Sequence, residues 1–238
     1  MRIRDNSAWT KSLFIFLVFF GITSCGDEEE PTGPGEPDTS QASAYTQQGW
    51  DLFEAADYDS AKGMFEAALG ADTTYADAHN GLGWSTLFLG LPPSNEPLDD
   101  AITAFIQAID FELFAADPQV GLAIVYQSEG QYSSAVQYAQ DALDLEPTYS
   151  FRHRQTINHL DVHLVLAQSY FGLGEEYYPQ AQAEVDILDP DNGLDPDDMT
   201  TWAVDLDRDG EIEAGETFSS YTEALMELIE LLQREIFG

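Results

Sequence analysis

Apolar residues recur three or four positions apart over most of this chain, which is the period of an α-helix. The pattern is clear in 120–126 and in 135–145. Short breaks that contain Gly, Pro, Asn or Asp separate the periodic segments, and these residues favour turns. One helix pair buries only part of its apolar face by itself, so the pattern predicts helix pairs that stack on one another.

The apolar pattern repeats along the chain. Copies in phase with one another begin at Ala42, Ala76 and Ala116, and a degenerate copy begins near Leu160. The second copy carries extra residues in 91–97, where Pro and Asn predict a loop. The clearest copy spans 116–149, and its defining positions are mostly small or aromatic: Leu122, Ala123, Tyr126, Gly130, Tyr132, Ala135, Ala139, Ala142 and Pro147.

These units resemble the tetratricopeptide repeat, a helix–turn–helix unit of 34 residues, and the resemblance covers 42–188. It implies an all-α fold: a tetratricopeptide-type α-solenoid of three to four repeats, followed by a short loop or hairpin and a C-terminal capping helix. In the family, the first helix of each pair lines a concave groove that binds segments of other proteins. The first copy departs from the family pattern at Ala56, which replaces the turn glycine.

The resemblance assigns a set of inward-facing positions on the first helices. Trp50 and Trp84 occupy the same repeat position one unit apart. An aromatic pair on an open face would form a hot spot for a protein or peptide ligand. The alternative is that both tryptophans pack against a neighbouring helix or the N-terminal tether. The full predicted groove consists of Trp50, Phe53, Asn80, Trp84, Phe88, Ile124 and Gln127.

The first 24 residues have the character of a secretory signal peptide. Basic residues precede an apolar run at 13–20, which is shorter than the about 20 residues that span a bilayer. The sequence then reaches Cys25, the only cysteine, in a context that resembles the bacterial lipobox. This resemblance implies a lipid anchor in the cell envelope, at the outer membrane. The alternatives are an uncleaved anchor or an ordinary signal peptide. Residues 25–41 are rich in acid, Pro and Gly, which predicts a disordered tether.

The C-terminal segment, 189–238, carries a separate signal. Residues 205–216 match the D-x-[DN]-x-[DN]-G-x5-E pattern of a calcium-binding EF-hand loop. We expect a strand at 200–204 before the loop, and an amphipathic helix at 221–236 that Ser219 or Ser220 caps. The alternative to a calcium site is a solvated acidic hairpin. Oxygen ligands for one Ca²⁺ would come from Asp205, Asp207, Asp209, the backbone carbonyl of Glu211, and Glu216.

The charge of the chain argues against two kinds of binding partner. The chain has 8 basic and 44 acidic residues and a net charge of −36, which argues against nucleic-acid binding and against binding to anionic lipid surfaces. Membrane attachment would come through the lipid anchor only. The basic triplet 152–154 either meets an acidic partner or pairs with the chain's own carboxylates.

No catalytic or phosphate-binding motif stands out in the sequence, so we expect a protein that is not an enzyme. The sequence predicts an envelope-anchored lipoprotein that acts as a protein-interaction scaffold and carries a calcium loop. The alternative is a calcium-responsive structural or substrate-capture surface protein in which the solenoid is only a spacer.

Overall fold

A computed structural model describes residues 37–90, 98–112, 114–213 and 215–237. The predicted signal peptide, the predicted lipidation site Cys25 and most of the predicted tether lie outside the described residues. The α-helices of the described residues are α1 (Thr39–Glu54), α2 (Tyr58–Ala71), α3 (Ala76–Gly90), α4 (Asp99–Phe111), α5 (Ala116–Ser128), α6 (Tyr132–Leu145), α7 (His159–Leu173), α8 (Tyr178–Leu188) and α9 (Tyr221–Phe237).

Consecutive helices pack as pairs, and the pairs stack on one another. Each of α1, α3, α5 and α7 packs on the helix that follows it and also contacts the next odd-numbered helix. These four helices therefore form one continuous layer, which we call the inner layer. Helix α9 packs against α7 and α8 at the end of the stack. The predicted fold, a tetratricopeptide-type α-solenoid with a C-terminal capping helix, is confirmed.

Glycines on the inner layer make room for aromatic rings from the second helix of each pair. The ring of Phe65 lies between Gly49 of α1 and Gly81 of α3, and a Cβ added at Gly81 would lie 2.2 Å from that ring. One repeat later, Phe105 lies between Gly83 and Gly121 in the same way. The small residues of the repeat pattern thus permit the close helix crossings that build the core.

The turn of the first pair explains the departure at Ala56. This residue has a φ of +60°, and Gly130, at the matching position of the third pair, has a φ of +72°. The turn geometry is therefore the same in both repeats. A side chain in the left-handed region costs about 1–2 kcal/mol, so the first turn holds backbone strain that the third one avoids.

Two predicted boundaries differ from the structure. Helix α1 begins at Thr39, three residues before the predicted repeat domain, because the Asp38 carboxylate accepts from the amide of Gln41 (3.0 Å) and caps the helix. The predicted strand at 200–204 is wrong. A 3₁₀ turn occupies Met199–Thr201, because the Asp198 carboxylate accepts from the Thr200 amide (2.9 Å) and draws the backbone into a turn.

The last helix follows its prediction closely. Helix α9 buries its apolar face, including Leu225, Leu228 and Leu232, against the end of the stack. Its first turn is capped by Ser220, whose hydroxyl accepts from the amide of Glu223 (3.2 Å). None of the helices in the described ranges combines the length and the apolarity that a membrane crossing requires.

Candidate protein-binding face and candidate calcium loop

The structure places the predicted groove residues on three helices of the inner layer. Their exposure differs sharply along the layer. Trp50 and Phe53 are each 2% exposed and Trp84 is fully buried. Asn80 is also buried, whereas the remaining side chains are partly exposed. Helix α1 carries Trp50 and Phe53, α3 carries Asn80, Trp84 and Phe88, and α5 carries Ile124 and Gln127.

A loop between α6 and α7 covers the two tryptophans. We call residues 149–158 the finger. Its ends are held together at a narrow stem, where the amide of His159 donates to the carbonyl of Tyr149 (2.8 Å) and the amide of Phe151 donates to the carbonyl of Ile157 (2.9 Å). An isolated antiparallel bridge joins Ser150 to Asn158. The finger is thus a closed loop whose tip points to the first two repeats.

Phe151 fills the space between the helices α1 and α3. Its ring is fully buried and stacks on Trp84, with 4.5 Å between ring centroids and an interplanar angle of 23°. It meets the edges of Trp50 (6.0 Å) and Phe53 (5.9 Å). Aromatic pairs at such distances contribute about 0.5–1.5 kcal/mol beyond area burial, so Phe151 is the main anchor of the finger.

The basic triplet binds groups of the chain itself. The His153 ring lies parallel to Trp50 at 3.9 Å, and its Nδ1 lies 2.9 Å from a carboxylate oxygen of Glu54. The Arg154 guanidinium lies over the Phe88 ring, 4.7 Å from its centroid, and donates to the Tyr58 hydroxyl. The interpretation that the triplet pairs with the chain's own carboxylates therefore holds for His153, whereas Arg154 meets aromatic groups.

The packing alternative describes Trp50 and Trp84 in this structure, and neither ring is open to a partner. Neighbouring helices supply part of this packing, through Phe65 of α2 on Trp50 and Phe105 of α4 on Trp84, and the finger adds Phe151 and His153. Sequence reasoning missed Phe151 because it follows the repeat pattern of neither α6 nor α7. The available signal was an aromatic residue next to basic ones within a polar, non-periodic stretch at 147–158.

An open pocket of about 480 Å³ lies beside the finger on the inner layer. Burial raises the pKa of the Asp117 carboxyl, and Asn80 donates to this carboxylate over a long 3.5 Å contact. The pocket is strongly acidic, since four carboxylates face one guanidinium. Its lining comes from the start of α3, the end of α4 and the connection after it, the start of α5, the residue after α6, and the finger: Ala76, Asp77, Asn80, Ala108, Glu112, Ala115, Asp117, Pro118, Glu146, Ser150 and Arg152.

The predicted calcium loop brings three of its aspartates together. One carboxylate oxygen from each of Asp205, Asp207 and Asp209 lies within 4.8 Å of the others. Asp205 accepts from the amides of Asp209 (3.2 Å) and Gly210 (2.8 Å), and Gly210 has a φ of +89°. The turn at the sixth loop position therefore uses the backbone conformation that favours glycine.

Glu216, the predicted closing ligand, holds the loop from inside. Its side chain is buried and accepts from the amides of Leu206 (2.7 Å) and Glu213 (2.8 Å). Each carboxylate oxygen has a second lone pair, so these bonds are compatible with metal ligation. Glu211 is exposed, and its amide donates to Asp209 (2.8 Å). The donor set consists of hard oxygens, which suits Ca²⁺.

Arg208 ties this loop to the helices, and sequence reasoning missed it. Its guanidinium donates to both carboxylate oxygens of Glu235 in α9 (2.8 and 3.0 Å) and to Asp189 after α8 (3.0 Å). These hydrogen bonds lower the pKa of the Glu235 carboxyl. A single basic residue therefore couples the position of the acidic loop to the capping helix.

Comparison with known proteins gives a distant likeness in structure. Two solved crystal structures of MamA resemble this chain. One is 18% identical, with a TM-score of 0.49 over 62% of this chain and 70% of that one. The other is 19% identical, with a TM-score of 0.47 over 62% of this chain and 80% of that one. Neither a protein-family model nor a curated protein sequence matches the chain. Function therefore has to be argued from the geometry of this chain's own residues.

Proposed function

We propose that this protein is an envelope-anchored lipoprotein that acts as a protein-interaction scaffold through its inner layer. The observation that supports this role is the open acidic pocket on that layer, which α3, α5 and the finger line together. A pocket between repeats is a place where a side chain of a bound segment can enter.

The charge of the pocket selects the kind of partner side chain. Asp77, Glu112, Asp117 and Glu146 surround it, and Arg152 is the basic residue of the lining. The whole chain carries a net charge of −36, so its long-range field also attracts cationic surfaces and repels anionic ones. The pocket thus favours a protein segment that inserts Lys or Arg.

A charge reversal tests the scaffold proposal. Glu112 and Glu146 are exposed, so Glu112→Arg with Glu146→Arg leaves the helix packing intact while it inverts the pocket. We expect this variant to lose the partner that wild type captures by crosslinking from native envelopes. The matched control is Asp141→Arg with Asp144→Arg on α6, which changes the same charge at exposed positions away from the pocket. Equal capture by the pocket variant and the control would contradict the proposal.

A second candidate function is calcium binding, which the clustering of Asp205, Asp207 and Asp209 favours. In this proposal Ca²⁺ relieves the mutual repulsion of the carboxylates and orders the loop. The ordering of the loop is transmitted to α9 through the Arg208–Glu235 contact. The protein then responds to calcium at its C-terminal cap, as a structural or substrate-capture protein of the cell surface.

Calorimetry with two matched variants tests the calcium site. We expect wild type to bind one Ca²⁺ with a Kd of about 10⁻⁴–10⁻³ M, as extracellular loops of this kind do. Asp207→Ala with Asp209→Ala should abolish the heat. The control, Asp191→Ala with Asp197→Ala, removes the same charge from exposed positions outside the loop. This control should retain the heat of calcium binding. The absence of a saturable heat in wild type, or the same heat in the loop variant, would leave only an acidic turn.

A further inference from the structure

We propose that the finger is an internal ligand, and that the site beneath it binds a segment of another protein with the same chemistry. That chemistry is an aromatic residue followed two and three positions later by cationic or imidazole side chains. The inference rests on the proposed scaffold function, because it names the partner class and the site on the same inner layer. It explains why two tryptophans at equivalent repeat positions lie under a non-repeat loop.

The site is built by the helices without help from the finger. Its floor consists of Trp50 and Phe53 from α1 and Trp84 and Phe88 from α3. Phe65, wedged between the glycines of α1 and α3, supports Trp50 from behind at 4.9 Å. The ring positions are therefore fixed by the repeat packing, and they would persist if the finger left.

The finger contacts this floor through side chains only. Its backbone hydrogen bonds in the described structure join residues within 146–162, such as Arg154 to Phe151 (3.1 Å) and Ile157 to Arg154 (2.8 Å), and none of them reaches α1 or α3. The tip of the finger contacts the helices through ring stacking, the His153–Glu54 pair and the Arg154–Tyr58 hydrogen bond, whereas Tyr149 and Ile157 are buried in the core at its stem. The tip can therefore move away without breaking a backbone hydrogen bond to α1 or α3, while the stem stays in place.

Three contacts define what the site recognises. A ring enters the space that Phe151 fills between Trp84 and Trp50. A flat group stacks on Trp50 and reaches the Glu54 carboxylate, as His153 does. A cation lies over Phe88, as the Arg154 guanidinium does, and such cation–π contacts favour Arg. A partner segment with this spacing replaces the contacts that Phe151, His153 and Arg154 make here.

The finger competes with such a segment because it is part of the same chain. A short intramolecular connection supplies an effective concentration of about 1 mM, so a free segment at micromolar concentration binds wild type only weakly. The apparent affinity rises when the finger is weakened, because the fraction of molecules with an open site increases. This rise is the measurable consequence of the proposal.

The test uses the full chain and a fluorescent peptide of residues 147–158 as the probe. We expect Phe151→Ala, which removes the anchor of the finger, to bind this peptide at least tenfold more tightly than wild type. A control peptide that carries the same Phe151→Ala change should not bind. A folded Phe151→Ala variant that binds the peptide no better than wild type would overturn the proposal. So would a variant that pairs into a dimer by light scattering and excludes the peptide, since the occupant would then be a second copy.

Two further measurements test the proposal if Phe151→Ala does not fold. Arg154→Ala removes an exposed contact of the finger without leaving a buried cavity, and it too should increase peptide affinity. In a Trp9→Phe, Trp202→Phe background, acrylamide should quench the fluorescence of Trp50 and Trp84 more strongly in Arg154→Ala than in its parent, because an open finger exposes both rings. Equal quenching in the two proteins would mean that the finger does not leave these rings, which would refute the proposal. Loss of peptide binding with intact, pocket-dependent partner capture would refute this inference alone and leave the scaffold function standing.

Discussion

Replacing Gly81 by alanine tests the packing on which the inner layer depends. A Cβ at this position would lie 2.2 Å from two atoms of the Phe65 ring, well inside van der Waals contact. The ring cannot retreat, because it is fully buried and a Cβ at Gly49 on its other side would already lie 2.7 Å away. The helices α1 and α3 must therefore move apart, or Phe65 must leave its rotamer.

The magnitude follows from two opposing effects. Overpacking a core costs about 1–3 kcal/mol, and the absence of free space around Phe65 places this site at the upper end. Alanine stabilises a helix interior by about 0.5–1 kcal/mol relative to glycine, which offsets part of the overpacking cost. We expect Gly81→Ala to lower the free energy of unfolding by about 2 kcal/mol, from the difference of these terms. For a domain of this size, the midpoint of thermal unfolding should fall by about 4–8 °C.

Gly63 provides the matched control. It lies inside α2, it is exposed, and a Cβ there would meet no atom within 4 Å. Gly63→Ala should therefore stabilise the protein by about 0.5–1 kcal/mol, with the opposite sign to Gly81→Ala. Denaturant unfolding followed by circular dichroism measures both. If the two variants are equally stable, the close approach of α3 to Phe65 is not what limits this position.

A double variant sharpens the test. Phe65→Leu removes the ring edge that the new methyl group would meet, so Gly81→Ala should cost less in that background than in wild type. The difference between the two costs is the coupling energy between the positions. Purely additive effects would refute the proposed clash. Since Phe65 also supports Trp50, the single Gly81→Ala variant should in addition loosen the finger and make Trp50 more accessible to a fluorescence quencher.

Three further predictions concern separate parts of the chain. Cys25→Ser should block acylation and release the protein from the membrane fraction, whereas acyl labelling and membrane retention in this variant would contradict the lipid anchor. Ala56→Gly should stabilise the protein by about 0.5–1 kcal/mol, since relief of left-handed strain exceeds the added chain entropy, and Gly130→Ala should destabilise it by a similar amount in chemical denaturation. Burial raises the pKa of Asp117, so native protein holds this proton more tightly than unfolded chain, and its ionisation costs stability as pH rises above about 4. The stability of Asp117→Asn relative to wild type should therefore increase between pH 4 and pH 7, and a constant difference would show that this carboxylate is not buried in solution.

The sequence by itself determined the local structure of the solenoid. Helical periodicity depends on neighbours three and four positions apart, and such contacts form within one helix or one helix pair. The range of α9, Tyr221–Phe237, agrees with the predicted helix at 221–236 to within one residue. The turn at Ala56 was likewise recognisable as the position of the missing glycine, although its φ of +60° is known only from the structure.

Only the tertiary structure decided what the inner layer presents to solvent. The residues of the finger lie about a hundred positions from the α1 residues that they meet: Glu54 and His153 are 99 apart. A periodic pattern of apolar residues does not reveal such a distant contact. The sequence therefore did not decide whether Trp50 and Trp84 pack inside the protein or bind a partner. The wrong prediction of a strand at 200–204 has a local cause, in contacts between residues two or three positions apart. There, the Thr200 amide donates to the Asp198 carboxylate and the Thr201 hydroxyl donates to the Asp198 carbonyl, and these short-range bonds turn the backbone at the start of the segment. Only an isolated bridge of Ala203 with Thr217 remains of the predicted strand.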